Sequence, residues 1–265
     1  MTRLPVAGHP IVGYRAPNPG PLTLTGTNSW IVGRDPAWLV DPGPALDAHI
    51  AALVDEIERR GGLGGIALTH DHADHADGVA PIARRFPGVP VAAGRGPVAR
   101  RLSAGDTFGP LEVVATPGHA PDHLAFVAGT AALTGDAVLG EGSVFVAPGP
   151  GALAGYLDGL ERLRARRLTV LLPGHGPIVT DPLARLDEYL AHRRERERRL
   201  LAALDGGARS VGELLDGAWG EVPEQLRPMA AITLAAHLDK LDEEGRLPAG
   251  VQRPAVSAAF GEPAR

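Results

Sequence analysis

At 265 residues, with 44% hydrophobic and 22% charged side chains, the chain has an ordinary globular composition and can bury one large core, which excludes a disordered or fibrous protein. Its net charge of -5 supplies no global attraction for nucleic acid or an anionic membrane, and the absence of cysteine removes disulfides and thiolate metal ligands together. No segment reaches the ~18 consecutive apolar residues of a membrane span, and the opening MTRLPVAGHPIVG lacks the unbroken apolar stretch of a signal peptide, so a cytoplasmic location is expected.

Between Leu22 and Thr180 short apolar or β-branched runs alternate with glycine and proline: LTLTGTNSWIVG, AWLVDPG, GGIALTH, VPVAAG, LEVVATPGH, HLAFVAGTAALTGD and LTVLLPGHG. These runs predict strands. Leu46 to Arg60, Gly78 to Arg85 and Ala152 to Arg166 place apolar residues at three-to-four spacing and predict helices. Residues with ligand chemistry fall just past the strand ends, at Asp41, His70, His119, Asp136 and His175, where catalytic groups usually collect. The texture then changes. Pro182 to Leu204 predicts a long charged helix, DGGARS a break, and Ser210 with Glu213 a capping box. Ala231, Leu234, Leu238 and Leu241 share a face of a last helix that Gly245 stops, and a short extended tail follows. The expected organisation is a catalytic domain over 1–180 and a helical, winged-helix-like domain over 181–265.

The densest chemistry lies in LTHDHADHADG, Leu68 to Gly78. His70 and His72 sit two apart at a strand end, so both imidazoles can reach one ion, while Asp74 and His75 follow where the chain turns into a helix and can face a second. Imidazole nitrogen and carboxylate oxygen are typical zinc donors, and a catalytic site keeps one position open for water. His119 in TPGHAPDH, Asp136 in LTGDAV and His175 in LLPGHG each follow an apolar strand beside a glycine.

This run and its three partners resemble the metallo-β-lactamase superfamily, whose H-x-H-x-D-H motif is intact here. The resemblance implies an αββα sandwich, class α/β, with His70, His72 and His119 around one ion, Asp74, His75 and His175 around the other, and Asp136 bridging them. Asp41 matches a superfamily aspartate that would orient a ligand histidine, or it is a turn residue before Pro42. His123 would donate to a substrate oxyanion or support the site by hydrogen bonding. His9, His49, His192 and His237 have no motif context and are expected at the surface or in packing.

From about Gly20 to Leu247 the chain is similar to the β-lactamase-like protein 2 family, which includes a mitochondrial single-strand endoribonuclease and fungal polyketide thioesterases. Relatives often carry a bulky or neutral residue where Asp71 stands. Two zinc ions, with iron or manganese as substitutes, are expected about 3.5 to 4 Å apart with a hydroxide between them as nucleophile and Asp74 as its proton carrier. The expected substrate is a small acyl thioester, ester or lactone, with single-stranded RNA as the alternative. The helix Arg193 to Arg199 interleaves Glu195 and Glu197, a pattern of a salt-bridged solvent face, and Asp239, Asp242, Glu243 and Glu244 would repel a phosphate backbone. The appended module is therefore expected as an active-site wall or a self-association surface that would make a homo-oligomer. A β-lactamase is disfavoured because Asp136 keeps the bridging position. A non-catalytic metal-binding interaction protein would need a lost ligand, and none is lost.

Overall fold

The computed structural model describes residues 2–6 and 8–256, so the last part of the expected tail, 257–265, lies outside the described residues. In chain order the elements are β1 (Thr2–Pro5), β2 (Ile11–Arg15), β3 (Asn28–Val32), β4 (Ala37–Val40), α1 (Asp47–Arg59), β5 (Leu63–Ala67), α2 (Ala73–Ala76) and α3 (Val79–Arg85). Then come β6 (Val91–Ala93), β7 (Arg100–Arg101), β8 (Thr107–Phe108), β9 (Leu111–Ala115), β10 (Leu124–Ala128), β11 (Ala131–Gly135), α4 (Ala152–Arg164) and β12 (Val170–Pro173). Helices α5 (Pro182–Asp205), α6 (Val211–Trp219) and α7 (Arg227–Glu243) end the described fold, with a 3-10 turn at Glu224–Leu226.

The strands form a seven-stranded sheet, β1-β2-β3-β4-β5-β6-β7, and a five-stranded sheet, β12-β11-β10-β9-β8. Strands such as β3 and β11 are buried along their whole length, as continuous apolar runs must be when both faces of a sheet are covered. Trp30, Val40, Phe108, Phe126, Leu133 and Leu172 pack between the sheets. Leu53, Ile57 and Ile82 of α1 and α3 cover the outer face of the first sheet. Leu153, Tyr156 and Leu160 of α4, with Leu186, Tyr189 and Leu190 of α5, cover the second. The expected αββα sandwich is therefore present.

The far half of α5 enters another cluster, where Leu200 and Leu204 meet Leu214 and Trp219 of α6 and Leu234, Leu238 and Leu241 of α7. The capping box at α6 is formed, Ser210 Oγ accepting from the Glu213 backbone and Glu213 Oε2 accepting from the Ser210 backbone. Gly245 follows the end of α7 at φ 66, the left-handed turn that a helix stop requires. Among the described residues no strand follows β12, so the appended module is a helical bundle without wing strands.

One expectation needs correction. Residues 22–27 form turns and isolated bridges, and regular pairing begins only at Asn28. Leu24 has φ 53 and Gly26 φ 123, left-handed backbone that a continuous strand cannot contain. The N-terminal segment, in contrast, forms the β1–β2 hairpin that extends the first sheet.

The two sheets are stitched together at one end. The Asn28 backbone donates to Gly174 O at 2.7 Å, its side chain donates to Pro173 O and Gly176 O at 3.0 Å, and Trp30 Nε1 donates to Pro173 O at 3.2 Å. The loops carrying ligand-type residues meet at this end.

Candidate metal centre

His70 follows β5, and His72, Asp74 and His75 occupy the start of α2. His119 follows β9, Asp136 follows β11 and His175 follows β12. The structure brings all of them together. His70 Nε2 lies 3.0 Å from His72 Nδ1, which lies 3.1 Å from His119 Nε2. In a second group His75 Nε2 is 3.3 Å from His175 Nε2, which is 3.3 Å from Asp74 Oδ2. Asp136 stands between the groups, Oδ1 at 3.4 Å from His75 Nε2 and Oδ2 at 3.4 Å from His175 Nε2 and 3.6 Å from His119 Nε2.

The outer nitrogens show what the inner ones are for. Asp41 Oδ2 accepts from Thr69 Oγ1 at 2.7 Å and from His75 Nδ1 at 2.9 Å, and Oδ1 accepts from the Thr69 backbone at 2.8 Å. Because the Thr69 proton goes to Asp41, Thr69 Oγ1 accepts from His70 Nδ1 at 3.0 Å. His119 Nδ1 faces Phe145 O and His175 Nδ1 faces Gly26 O, both at 3.4 Å. The Nδ1 atoms of His70, His75, His119 and His175 therefore hold their protons outward and turn Nε2 toward the centre, where His72 presents its Nδ1 instead. Lone pairs at such separations do not bond one another, and Asp136 Oδ1 is buried with no hydrogen-bond donor. Gly174 keeps the space open, since a Cβ there would fall 2.5 Å from Asp136 Oδ1 and 2.7 Å from His75 Cε1. The donor set fits two cations, one facing His70, His72 and His119 and one facing Asp74, His75 and His175.

The electrostatics make the same demand. Burial keeps His70 neutral and lowers His119 to about 4, leaving them ready as neutral ligands. At His175 burial also opposes ionisation, but the Asp136 and Asp74 carboxylates override it and raise the pKa to about 10. Burial would raise Asp74, yet the His175 hydrogen bond and the His75 charge bring it down to about 2. This corner holds carboxylates that require positive charge, which a divalent ion would supply.

His123 does not take the oxyanion role offered for it. Its Nε2 accepts from the Asp136 backbone at 3.0 Å and its Nδ1 faces Thr116 Oγ1 at 2.8 Å, so neither nitrogen is left for substrate. The ring is buried and fixes the loop that carries Asp136. Asp71 is tied to Arg95, which also reaches Asp122 at 3.1 Å, so its carboxylate is not free at the rim. His49 is buried against Ser29 Oγ at 2.9 Å, and His9 contacts Thr169 Oγ1 at 3.2 Å.

The cradle opens into a cavity of about 560 Å³ whose walls include Leu22, Leu24, loop residues 139 and 141–145, and Trp219, Met229 and Thr233 of the appended module. His192, Arg193 and Arg196 of α5 also line it. The salt-bridged solvent face expected for this helix is real for Arg194, Arg198 and Arg199, paired with Glu161, Glu195 and Glu221. It does not hold for Arg193 and Arg196, which are buried. They continue the inward stripe of Leu186, Tyr189 and Leu190 toward Leu200 and Leu204, and that three-to-four spacing was the available signal. The acidic residues of α7 also have a structural duty: Asp239 Oδ2 accepts from the Gly149 backbone at 3.0 Å and Glu243 Oε1 from Gly151 at 2.8 Å, just before α4. Carboxylates there complement the positive end of the helix dipole and dock the module on the sandwich.

Asp41→Asn tests the orienting role. An amide in place of Oδ2 presents N–H where Thr69 and His75 both donate, so the His75 ring must turn or change tautomer. Zinc affinity of the Asp74–His75–His175 group is expected to fall about 10- to 100-fold, measured by equilibrium titration against a competing chelator; unchanged affinity would remove Asp41 from the site.

Known proteins share this architecture. Residues 22–96 match the metallo-beta-lactamase superfamily model and residues 210–248 match the beta-lactamase associated winged helix domain. A β-lactamase-like protein 2 homologue of Drosophila melanogaster is 30% identical over 257 residues, covering 87% of each chain. An atrochrysone carboxyl ACP thioesterase of Aspergillus chevalieri is 32% identical over 241 residues, covering 83% of this chain and 76% of the fungal one. The crystal structure of a metallo-β-lactamase family protein from Thermus thermophilus superposes with a TM-score of 0.67 at 26% identity, over 89% of this chain and 94% of the other. Given the extent of its likeness to the fly protein, the chain belongs to the metallo-β-lactamase superfamily, among the β-lactamase-like protein 2 homologues.

Proposed function

We propose that the chain is a binuclear, zinc-dependent hydrolase of ester-type bonds: acyl thioesters, esters or lactones. The observation that carries this reading is the cavity, a chamber with extensive apolar walls that the appended module closes on one side. An acyl chain can bury its methylene groups against Leu22, Leu24, Val222 and Met229, each group contributing about 0.8 kcal/mol. RNA would instead need a track of unpaired cations, and the exposed arginines of α5 are paired with glutamates. The thioesterase activity named for the fungal relative points the same way.

Zinc, or iron or manganese in the same donor set, would supply when bound a nucleophilic water at neutral pH and Lewis acidity toward the oxygen under attack. The chain does the rest. His70, His72 and His119 on one side and Asp74, His75 and His175 on the other would hold the ions, with Asp136 shared. Asp74 is 29% exposed on the cavity wall, and its Oδ2 lies 3.3 Å from Thr27 Oγ1, which can steady it by hydrogen bonding. On this reading Asp74 would accept the proton of the attacking water and return it to the leaving group. The module's apolar residues limit the water that competes for the bond.

The test is one zinc-loaded preparation assayed on an acyl thioester panel, on lactones and on single-stranded RNA at two salt concentrations. Thioester or lactone turnover with little salt dependence is expected. RNA cleavage that weakens steeply with salt, without acyl turnover, would overturn the reading in favour of a single-strand endoribonuclease.

A further inference from the structure

Arg193 is 2% exposed, and among the described residues no carboxylate lies within ion-pair distance of it. Its Nη2 donates to Val144 O and its guanidinium lies 5.4 Å from the centre of the Tyr156 ring, but its Nε is buried without an acceptor. A buried cation without a counter-charge is costly unless something else supplies the negative charge.

The preceding residue, His192, adds a second unmet donor. Arg196 Nε donates to His192 Nε2 at 3.2 Å, so that nitrogen bears the lone pair and Nδ1 bears the proton. His192 Nδ1 is also buried without an acceptor. Arg196 lies over Trp219 and pairs with Glu221, so its charge is balanced while that of Arg193 is not. His192, Arg193 and Arg196 line the same cavity as His72, Asp74 and His119. Two N–H donors without acceptors lie just behind the wall of a substrate cavity, beside one unbalanced positive charge, and a short turn of their side chains toward the cavity would satisfy them with oxygen atoms bearing negative charge.

We propose that the α5 wall of the cavity is an anion subsite, in which His192, Arg193 and Arg196 receive a carboxylate or phosphate carried by the substrate away from the bond that is cleaved. The substrate is then an acyl thioester, ester or lactone with a second, anionic end. This rests on the ester-hydrolase reading for its chemistry, though not for its binding. Anchoring that end would fix how far the scissile carbonyl can travel in the chamber, and thereby select acyl length.

The kinetic test uses the zinc-loaded enzyme and three thioesters: S-valeryl and S-glutaryl N-acetylcysteamine, which differ by a methyl against a carboxylate, and S-valeryl 3-mercaptopropionate, with the carboxylate on the thiol side. At least one anionic member is expected to exceed the neutral one in kcat/KM by about tenfold or more. The preference should vanish in Arg193→Gln and persist in part in Arg193→Lys. Equal kcat/KM for all three in the wild type, or a preference that survives Arg193→Gln, would overturn the subsite. Since Arg193 also holds Val144 O, His192→Ala is the companion variant and should cut the preference several-fold in a folded protein. Calorimetric titration with glutarate and, separately, inorganic phosphate reads binding without turnover and tells a carboxylate site from a phosphate site. Both variants should weaken the tighter of the two by about tenfold; affinities equal to wild type would overturn the proposal. If no thioester is hydrolysed, the ester reading fails while the titration still decides the subsite.

Discussion

Replacing Asp136 by alanine is expected to lower turnover of any good substrate by at least about a thousandfold, beyond the usual cost of removing one oxyanion-stabilising donor. Zinc should fall well below two ions per chain in the same variant. Asp136 is the acidic residue whose two oxygens reach both groups of histidines, Oδ1 toward His75 and Oδ2 toward His175 and His119. Without it neither group keeps a complete donor set, and His175 loses a charge that favours its place in the cradle. The fold should survive. The turn that carries the residue is held independently by Thr134 Oγ1 donating to Val138 O at 2.8 Å and by the Ala137 backbone donating to Thr134 O at 3.0 Å. His72→Ala should behave alike, because His72 sits half-buried at the start of α2 and supplies the Nδ1 that completes the first group. Elemental analysis and circular dichroism accompany the assay. Wild-type turnover in either folded variant would refute the binuclear mechanism.

A chain ending at Thr180 is expected to be insoluble, whereas one ending at Gly206 should keep its sandwich and its ligands. The first cut removes Leu186, Tyr189 and Leu190 from the cluster that covers the second sheet. Three large buried side chains contribute roughly 5 to 9 kcal/mol, as much as the net stability of a typical domain. It also removes Arg185, whose Nη2 donates to Leu139 O at 3.1 Å and Gly142 O at 2.7 Å and so shapes the cavity loop. The second cut leaves α5 in place but strips Trp219, Met229 and Thr233 from the cavity, so it should broaden the range of acyl groups accepted. Soluble fraction, light scattering and zinc content decide between them. A soluble, folded 1–180 chain holding two ions would show that α5 belongs wholly to the appended module, as the boundary read from composition has it.

The clustering of these histidines and aspartates was legible because metal chemistry limits residue type and spacing together: His70, His72, Asp74 and His75 must lie close in sequence for one strand end and one helix start to present them. The core strands were legible because a strand covered on both faces reads as an apolar run, as in LTVLLPG. What escaped depends on contacts distant in sequence. The β1–β2 hairpin is hidden by Pro5, Gly8 and Gly13, yet Gly13 is where the Trp30 ring crosses the strand, a Cβ there falling 2.5 Å from it. Leu22 to Gly26 alternates like a strand, but a Cβ at Gly26 would lie 2.1 Å from Ala16 O, a constraint that local pattern cannot show. Arg193 and Arg196 were missed because charge suggests solvent, and only their register with Tyr189 and Leu200 reveals the inward face. His192 was passed over for want of a motif, although it shares that wall.

The stitched end of the sandwich has a bearing on how the protein matures. His70, His72, Asp74 and His75 are carried by the seven-stranded sheet, and His119, Asp136 and His175 by the five-stranded one. Each group of donors draws on both, so neither sheet alone can retain an ion with full affinity. On the proposed reading metal capture would act as a checkpoint: a newly made chain would become competent only after Asn28 and Trp30 had closed onto Pro173 and Gly174, and a half-assembled molecule would carry no hydrolytic activity that could act out of turn.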